Sequence, residues 1–250
     1  MKLRFALAGL LALVFLCLAA FSGAARPAQA STTINVNTFT DELNTDGDCS
    51  LREAIRAANL DVGVDACPAG SGTDTVILPA GTCTLTLPGT GENSALTGDL
   101  DITSHLTISG AGPSSTVVDA DQIDRVFHIT GALNVTLAIM TMRGGNPGTG
   151  SGGGIYNNGG TLTLTDCVVT ASTANVNGGG IYNSGGVVNL MRSTISANDG
   201  GSTRFSHGGG IYSSGGTVNI TESTISGNTV EEAGGGIYNT GVLNITRSAI

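Results

Sequence analysis

Four copies of one six-residue phrase organise this chain. Gly152-Gly-Gly-Ile155-Tyr156-Asn157 returns at Gly178 to Asn183, at Gly208 to Ser213 and at Gly234 to Asn239, its isoleucines 26, 30 and 26 residues apart. Every tyrosine of the protein stands in this phrase. Between the copies the pattern alternates with period two, as strands require: Thr161-Leu-Thr-Leu164, Val187-Val-Asn-Leu190, Thr217-Val-Asn-Ile220 and Val242-Leu-Asn-Ile245. A second short strand follows, as in Ser193-Thr-Ile-Ser196 and Ser223-Thr-Ile-Ser226. No helical period occurs in any repeat, which excludes a βαβ arrangement. One such coil cannot bury its aliphatic side alone, but neighbours about 4.8 Å above and below supply the missing strand partners. The reading is therefore all-β: a right-handed parallel β-helix (a solenoid) with about three short strands per coil and turns rich in Gly, Asn and Ser.

Stacking assigns a place to each repeated residue. Ile155, Ile181, Ile211 and Ile237 form one internal column; Leu164, Leu190, Ile220 and Ile245 a second; Val169, Ile195, Ile225 and Ile250 a third. Asn198 and Asn228 align at a turn with Ser172, where their amides can hydrogen-bond along the axis. The tyrosines neighbour the inward isoleucines and so form an outward ladder, for which structural stacking is favoured over a sugar-binding strip. Asp166, Arg192, Glu222 and Arg247 fall in one outward column of alternating sign, which predicts modest surface ion pairs. One turn, Asp199 to His207, is longer than its counterpart in the next coil. Loops projecting from a regular scaffold carry function more often than the scaffold does. Asp199, Arg204 and His207 are therefore the place to look for a local site.

Earlier coils are less regular. Leu106 to Ile108, Thr116 to Val118, Val126 to Ile129 and Val135 to Leu137 continue the alternation, with Val76 to Leu78 and Thr84 to Leu87 as the first strands. Asp119, Asp121 and Asp124 are placed in turns. His105 and His128 stand in strand-like segments with no Cys or acidic residue at ligand spacing.

Residues 1–30 read as a signal peptide: Lys2 and Arg4, an apolar run from Phe5 to Ala20, then Ala28-Gln29-Ala30 as the cleavage site. Residues 31–90 read as an N-terminal capping region and 91–250 as the solenoid. After cleavage seven arginines face nineteen carboxylates, a net charge near −12 that disfavours nucleic acid and anionic lipid. No second apolar run is long enough to span a bilayer. Export permits disulfides. Cys49 and Cys67 flank the single predicted helix and are the favoured pair, with Cys83 the competing partner of Cys67. Cys167 occupies a strand position held elsewhere by Ser193, Ser223 and Ser248, and is read as a free thiol.

Ser50-Leu51-Arg52-Glu53 is a capping box that opens a short helix through about Asn59, with Leu51, Ala54, Ile55 and Ala58 on one face. Such a helix can cover the first coil, whose open edge would otherwise invite pairing with another chain. Here the sequence resembles a known group. Cys49-Ser-Leu-Arg-Glu-Ala-Ile55 is similar to the signature of the bacterial CSLREA-domain proteins. Asp65-Ala-Cys67-Pro and Leu78-Pro-Ala-Gly81 resemble the same family. The Gly-Gly-Gly-Ile phrases, with Ile195-x-x-Asn198 and Ile225-x-x-Asn228, resemble the short repeats of polymorphic outer membrane proteins. The resemblance implies a secreted or cell-surface β-helix and brings no catalytic residue with it.

Asp41, Asn44, Asp46 and Asp48 form an acidic cluster before the helix. Calcium would suit these oxygens, yet Gly47 falls wrongly for an EF-hand loop, and a plain turn is expected. No other cofactor is suggested. The chain stops at Ile250, inside a strand that elsewhere continues; a longer parent protein is expected in preference to an end covered by another chain. The function expected is that of a monomeric, non-catalytic surface protein, adhesin-like or associated with the cell envelope. It would present an extended face to a surface glycan or to a protein on a host or neighbouring cell. The alternative is a polysaccharide lyase or glycoside hydrolase, an analogy of fold alone.

Overall fold

The computed structural model describes residues 30–250, so the signal segment lies outside the described residues apart from Ala30. Among the described residues, twenty short strands and one helix, α1 (Leu51–Leu60), build a parallel β-solenoid. Each complete coil gives one strand to each of three sheets. Sheet I has eight strands, from Thr33–Asn35 and Asp74–Ile77 to Val242–Thr246. Sheet II has six, from Gly81–Thr84 to Thr224–Ser226. Sheet III also has six, in the order Leu100–Ile102, Phe127–Thr130, Ile155–Asn158, Ile181–Ser184, Ile211–Ser214 and Ile237–Asn239. The solenoid sheets thus begin inside the region read from sequence as a cap. The first strand of sheet II is Gly81–Thr84 rather than Thr84 to Leu87, although Leu85 is still buried just beyond it.

The expected columns are the register of the sheets. Ile155 pairs with Ile181, Ile181 with Ile211 and Ile211 with Ile237. Leu164, Leu190, Ile220 and Ile245 pair in sheet I, and Val169, Ile195 and Ile225 in sheet II. The last described coil is the exception to burial: Ile245 and Ile250 are 45% and 59% exposed. Glycine is required where the coils touch. Gly178 has φ +67, and a Cβ on Gly179 would lie 2.4 Å from the Asp199 carbonyl oxygen of the next coil.

Buried polar side chains run in ladders that follow the axis. Asn198 Nδ2 donates to Asn228 Oδ1 (3.0 Å), and the Ser172 amide donates to Asn198 Oδ1 (3.1 Å). A second ladder, in sheet III, runs through fully buried Asn157 and Asn183 to Ser213. Each amide bonds the next rung, which is what keeps its desolvation tolerable.

Helix α1 is capped by Ser50 and Glu53 through both hydrogen bonds of a capping box. Its buried face includes Arg52 as well as Leu51, Ala54, Ile55 and Ala58. Arg52 is 0% exposed and makes a two-pronged ion pair with Asp41, Nε to Oδ1 at 2.5 Å and Nη2 to Oδ2 at 3.1 Å. The guanidinium also donates to the carbonyls of Gly98 (2.8 Å), Asp99 (3.3 Å) and Ala95 (3.4 Å). Cys49 and Cys67 are joined as a disulfide, Cα to Cα 5.0 Å, while Cys83 and Cys167 are buried free thiols.

Candidate functional site

Sheet III carries one unbroken outward column. Asp101 pairs with His128, His128 with Tyr156, and the column continues through Tyr182, Tyr212 and Tyr238. Their neighbours on either side, such as Phe127 and Ile129, point inward, so strand alternation alone sends these six side chains out. His128 stacks on Tyr156 at 5.0 Å between ring centroids, Tyr182 on Tyr212 at 5.2 Å and Tyr212 on Tyr238 at 5.3 Å. Tyr156 meets Tyr182 edge to face at 5.0 Å. Stacking between neighbours thus occupies most of the ring faces along the column. What the column offers outward is ring edges and hydroxyls, and none of the four tyrosine hydroxyls bonds another described residue.

At the Asp101 end the column runs into a cluster of charge. His128 Nδ1 lies 3.0 Å from Asp101 Oδ1, and the Ala95 amide donates to Asp101 Oδ2 at 2.9 Å. Arg125 Nη1 reaches Asp99 Oδ2 at 3.1 Å and Asp124 Oδ1 at 3.6 Å. The Arg125 guanidinium also sits over the Tyr156 ring, 5.4 Å from its centroid. Asp99, Asp101, Asp124 and His128 are all buried. Sequence spacing offers His128 no acidic partner; the structure supplies Asp101 from the preceding coil, 27 residues away. Asp124, read as a turn residue, is a buried member of the same cluster.

The N-terminal cap holds this cluster in place. Arg52 bonds the Asp99 carbonyl, and Asn59 Nδ2 in the last turn of α1 donates to the Asp101 carbonyl at 2.8 Å. The backbone of both aspartates is thus clamped from the helix while their side chains face Arg125 and His128. Burial drives the Asp99 carboxyl up to about 7, and the charges of Asp124 and Asp101 push the same way against Arg125. Asp124 is raised as well, by burial first. Asp99 therefore exchanges its proton near neutrality, the property a general acid needs. Asp99, Asp101 and His128 also bring one potential metal-ligand atom each to within 4.8 Å of one another. The positive charge of Arg125 on Asp99 works against a cation there.

Two recesses adjoin the cluster. One, of about 250 Å³, is lined by residues including Asp124, Arg125 and Thr149; the other, about 260 Å³, by residues including Asn59, Asn93 and Thr103. Both fall short of the roughly 300 Å³ at which small-molecule sites begin. A ligand lying across the face fits this surface better than one enclosed by it.

The long turn does not assemble a site. Asp199 Oδ1 accepts from the Gly201 amide at 3.0 Å, closing its own turn, and Arg204 is exposed. Only His207 joins the outer face, its ring 4.5 Å from that of Tyr238. The predicted charge column is present as two surface pairs, Arg192 with Asp166 and Arg247 with Glu222. His105 is exposed, and its Nδ1 accepts from the Asn134 amide. Burial raises the two free thiols, Cys83 to about 12 and Cys167 to about 11, so neither is a nucleophile at neutral pH. Comparison with protein-family models, with curated proteins and with solved structures returned no match.

Proposed function

We propose that this chain is an extracellular, non-catalytic scaffold whose outer sheet III face binds an elongated polyhydroxylated ligand, a surface glycan in the first place. The reading rests on one observation: four tyrosine hydroxyls in a line, unbonded within the described residues, ending at the recess lined by Arg125 and Asp124. Hydroxyls spaced by one coil can donate to or accept from successive groups of a repeating polymer. The acidic balance of the chain favours a neutral or amino-bearing glycan over a polyanion. Export and a cell-surface setting are expectations from the N-terminal sequence and from the likeness of Cys49 to Ile55 to CSLREA-domain proteins. Both suit such a role. A protein on a neighbouring cell is the other partner class.

Binding to a panel of immobilised neutral, amino and acidic glycans tests this. Replacing Tyr182→Phe and Tyr212→Phe together keeps the ring stacking and removes two hydroxyls, so affinity should fall about tenfold with melting unchanged. Unaltered affinity would remove the ladder from the binding face. One observation favours a second reading, a glycoside hydrolase: Asp99 holds a proton near pH 7 beside two further carboxylates. New reducing ends released from any glycan of the panel, and lost in Asp99→Asn, would establish that reading in place of the first.

A further inference from the structure

We propose that Phe205, at the tip of the long turn, is a stacking platform that seats one pyranose ring of a β-linked, gluco-configured oligosaccharide. This role rests on the reading of the sheet III face as a glycan surface, and it names the sugar that face selects. The tyrosine rings mostly cover one another, so their column supplies hydroxyls but little open aromatic surface. Phe205 supplies what the column lacks. Its side chain is 79% exposed, more than any other large apolar residue described. It stands at the Tyr238 end, opposite the recess lined by Asp124 and Arg125.

A single apolar residue on a surface is ordinary, but an insertion puts this one in place. Asp199 bridges to Thr173 and Thr229 in the coils on either side, and His207 bridges to Asn177 and Ala233. Seven residues, Gly200 to Ser206, therefore stand where each neighbouring coil has three. Asp199, Arg204 and His207 do not converge, yet the insertion that carries them holds its tip firmly. The Ser206 amide donates to the Thr203 carbonyl (2.9 Å), closing a turn with Arg204 and Phe205 at its corner. Ser206 is buried; its hydroxyl donates to the Asn175 carbonyl (3.2 Å) and accepts from the Thr203 amide (3.1 Å). Turn corners favour Gly, Pro, Asn, Asp and Ser. A phenyl ring at such a corner adds nothing to the core and is open to a ligand.

The same turn joins the tip to the column. The Phe205 carbonyl lies 2.9 Å from His207 Nδ1, and a carbonyl only accepts, so Nδ1 carries the hydrogen. In the neutral ring Nε2 is then left as an acceptor. The His207 ring lies 4.5 Å from that of Tyr238 and 6.3 Å from that of Tyr212. Arg204 is exposed and forms no ion pair among the described residues, although Glu231 and Glu232 stand in the matching turn of the next coil. A ring stacked on Phe205 therefore has hydrogen-bonding groups around it on the tip and on the column. The stacking selects by shape. In a β-linked, gluco-configured chain every ring substituent is equatorial, and the axial C–H bonds make both ring faces apolar. An axial hydroxyl, as at C2 of mannose, interrupts that face and loses water on contact without gaining a partner.

The test is calorimetric titration of the whole chain with cellohexaose and with β-linked mannohexaose, beside thermal unfolding. Cellohexaose should bind clearly more tightly than mannohexaose. Phe205→Ala should weaken cellohexaose roughly three- to tenfold and leave the melting temperature unchanged, since the ring is exposed. The chain has no tryptophan, so Phe205→Trp places a single indole fluorophore at the tip. That variant should keep the affinity, and its emission should shift as cellohexaose saturates it. The platform is overturned if Phe205→Ala binds like the wild type, if mannohexaose binds as tightly as cellohexaose, or if the indole emission stays still at saturation. It is overturned too if the wild type does not bind cellohexaose, whereas binding of another glycan, weakened by Tyr182→Phe with Tyr212→Phe, would leave the column standing. Binding weakened by Phe205→Ala but not by that tyrosine pair would keep the platform and remove the column.

Discussion

The two halves of this solenoid handle polar groups in opposite ways. From Gly152 onward, buried polar side chains are neutral and pass hydrogen bonds from coil to coil, as Asn157 does to Asn183 and Asn198 to Asn228. Charges there stay outside, as in the Arg192–Asp166 pair. Before Gly145 one set of charges goes inside: Arg52 with Asp41, and Asp99, Asp101 and Asp124 with Arg125 and His128. A stacked coil meets a copy of itself, so like side chains face one another, and neutral amides can form such a ladder while like charges cannot. The capped end meets unlike partners, a helix and an irregular loop, and opposite charges can be matched there. The difference separates a part that repeats to be stable from a part built to hold particular groups.

Removing Arg52 should break the capped end hardest. Arg52→Ala leaves Asp41 buried without its partner, and frees the carbonyls of Gly98 and Asp99 that fix the acidic cluster. A loss of about 3–5 kcal/mol is expected in denaturant unfolding. Asp41 would keep only the amides of Thr86 and Leu87, which cannot balance its charge. A loss below about 1 kcal/mol would show that the cap stands on the helix packing and not on this pair.

A smaller effect, with a pH signature, belongs to Asp99. Its folded value of about 7 lies above the ordinary 3.8, so the native state holds the proton more tightly than the unfolded chain. Stability from this group is therefore complete below about pH 3.8 and is lost as pH rises toward 7. Asp99→Asn cannot ionise. It should be more stable than the wild type by roughly 1–3 kcal/mol at pH 8, with the gap closing toward pH 4. A gap independent of pH would mean that Asp99 stays ionised against Arg125 throughout.

The same contrast decides how much of the molecule is legible in its sequence. In the repeats the period itself names the neighbour, so the columns of Ile155, Leu164 and Val169 follow from laying one repeat on the next. The long turn misleads, because Asp199, Arg204 and His207 share a loop in sequence but no bond in space. Earlier coils differ in length: Thr75 pairs with Thr107 and Thr107 with Thr136, while Tyr156 pairs with Tyr182. Without a fixed period, nothing in the sequence sets Asp101 beside His128. Arg52 likewise reads as the polar face of an amphipathic helix, since its partners at Asp41 and Gly98 are distant in the chain.

The least effect is expected where the repeat carries charge. Arg192 meets Asp166 through Nε (2.8 Å) and Nη2 (2.7 Å), and its hydrogen bond lowers the Asp166 carboxyl. The side chains are nevertheless 45% and 39% exposed, so water competes for both charges and salt screens them. Arg192→Ala and Asp166→Ala, singly and together, should give only a weak coupling that fades at high salt. Asp166 and Arg192 both adopt positive φ at the same turn, and alanine is no better suited to it than they are. The double-mutant cycle removes that backbone contribution, provided it is the same in the single and double variants. A coupling near that of the buried Arg52–Asp41 pair would mean that charge stabilises the repeats as it does the capped end, and the division between the two halves would not hold.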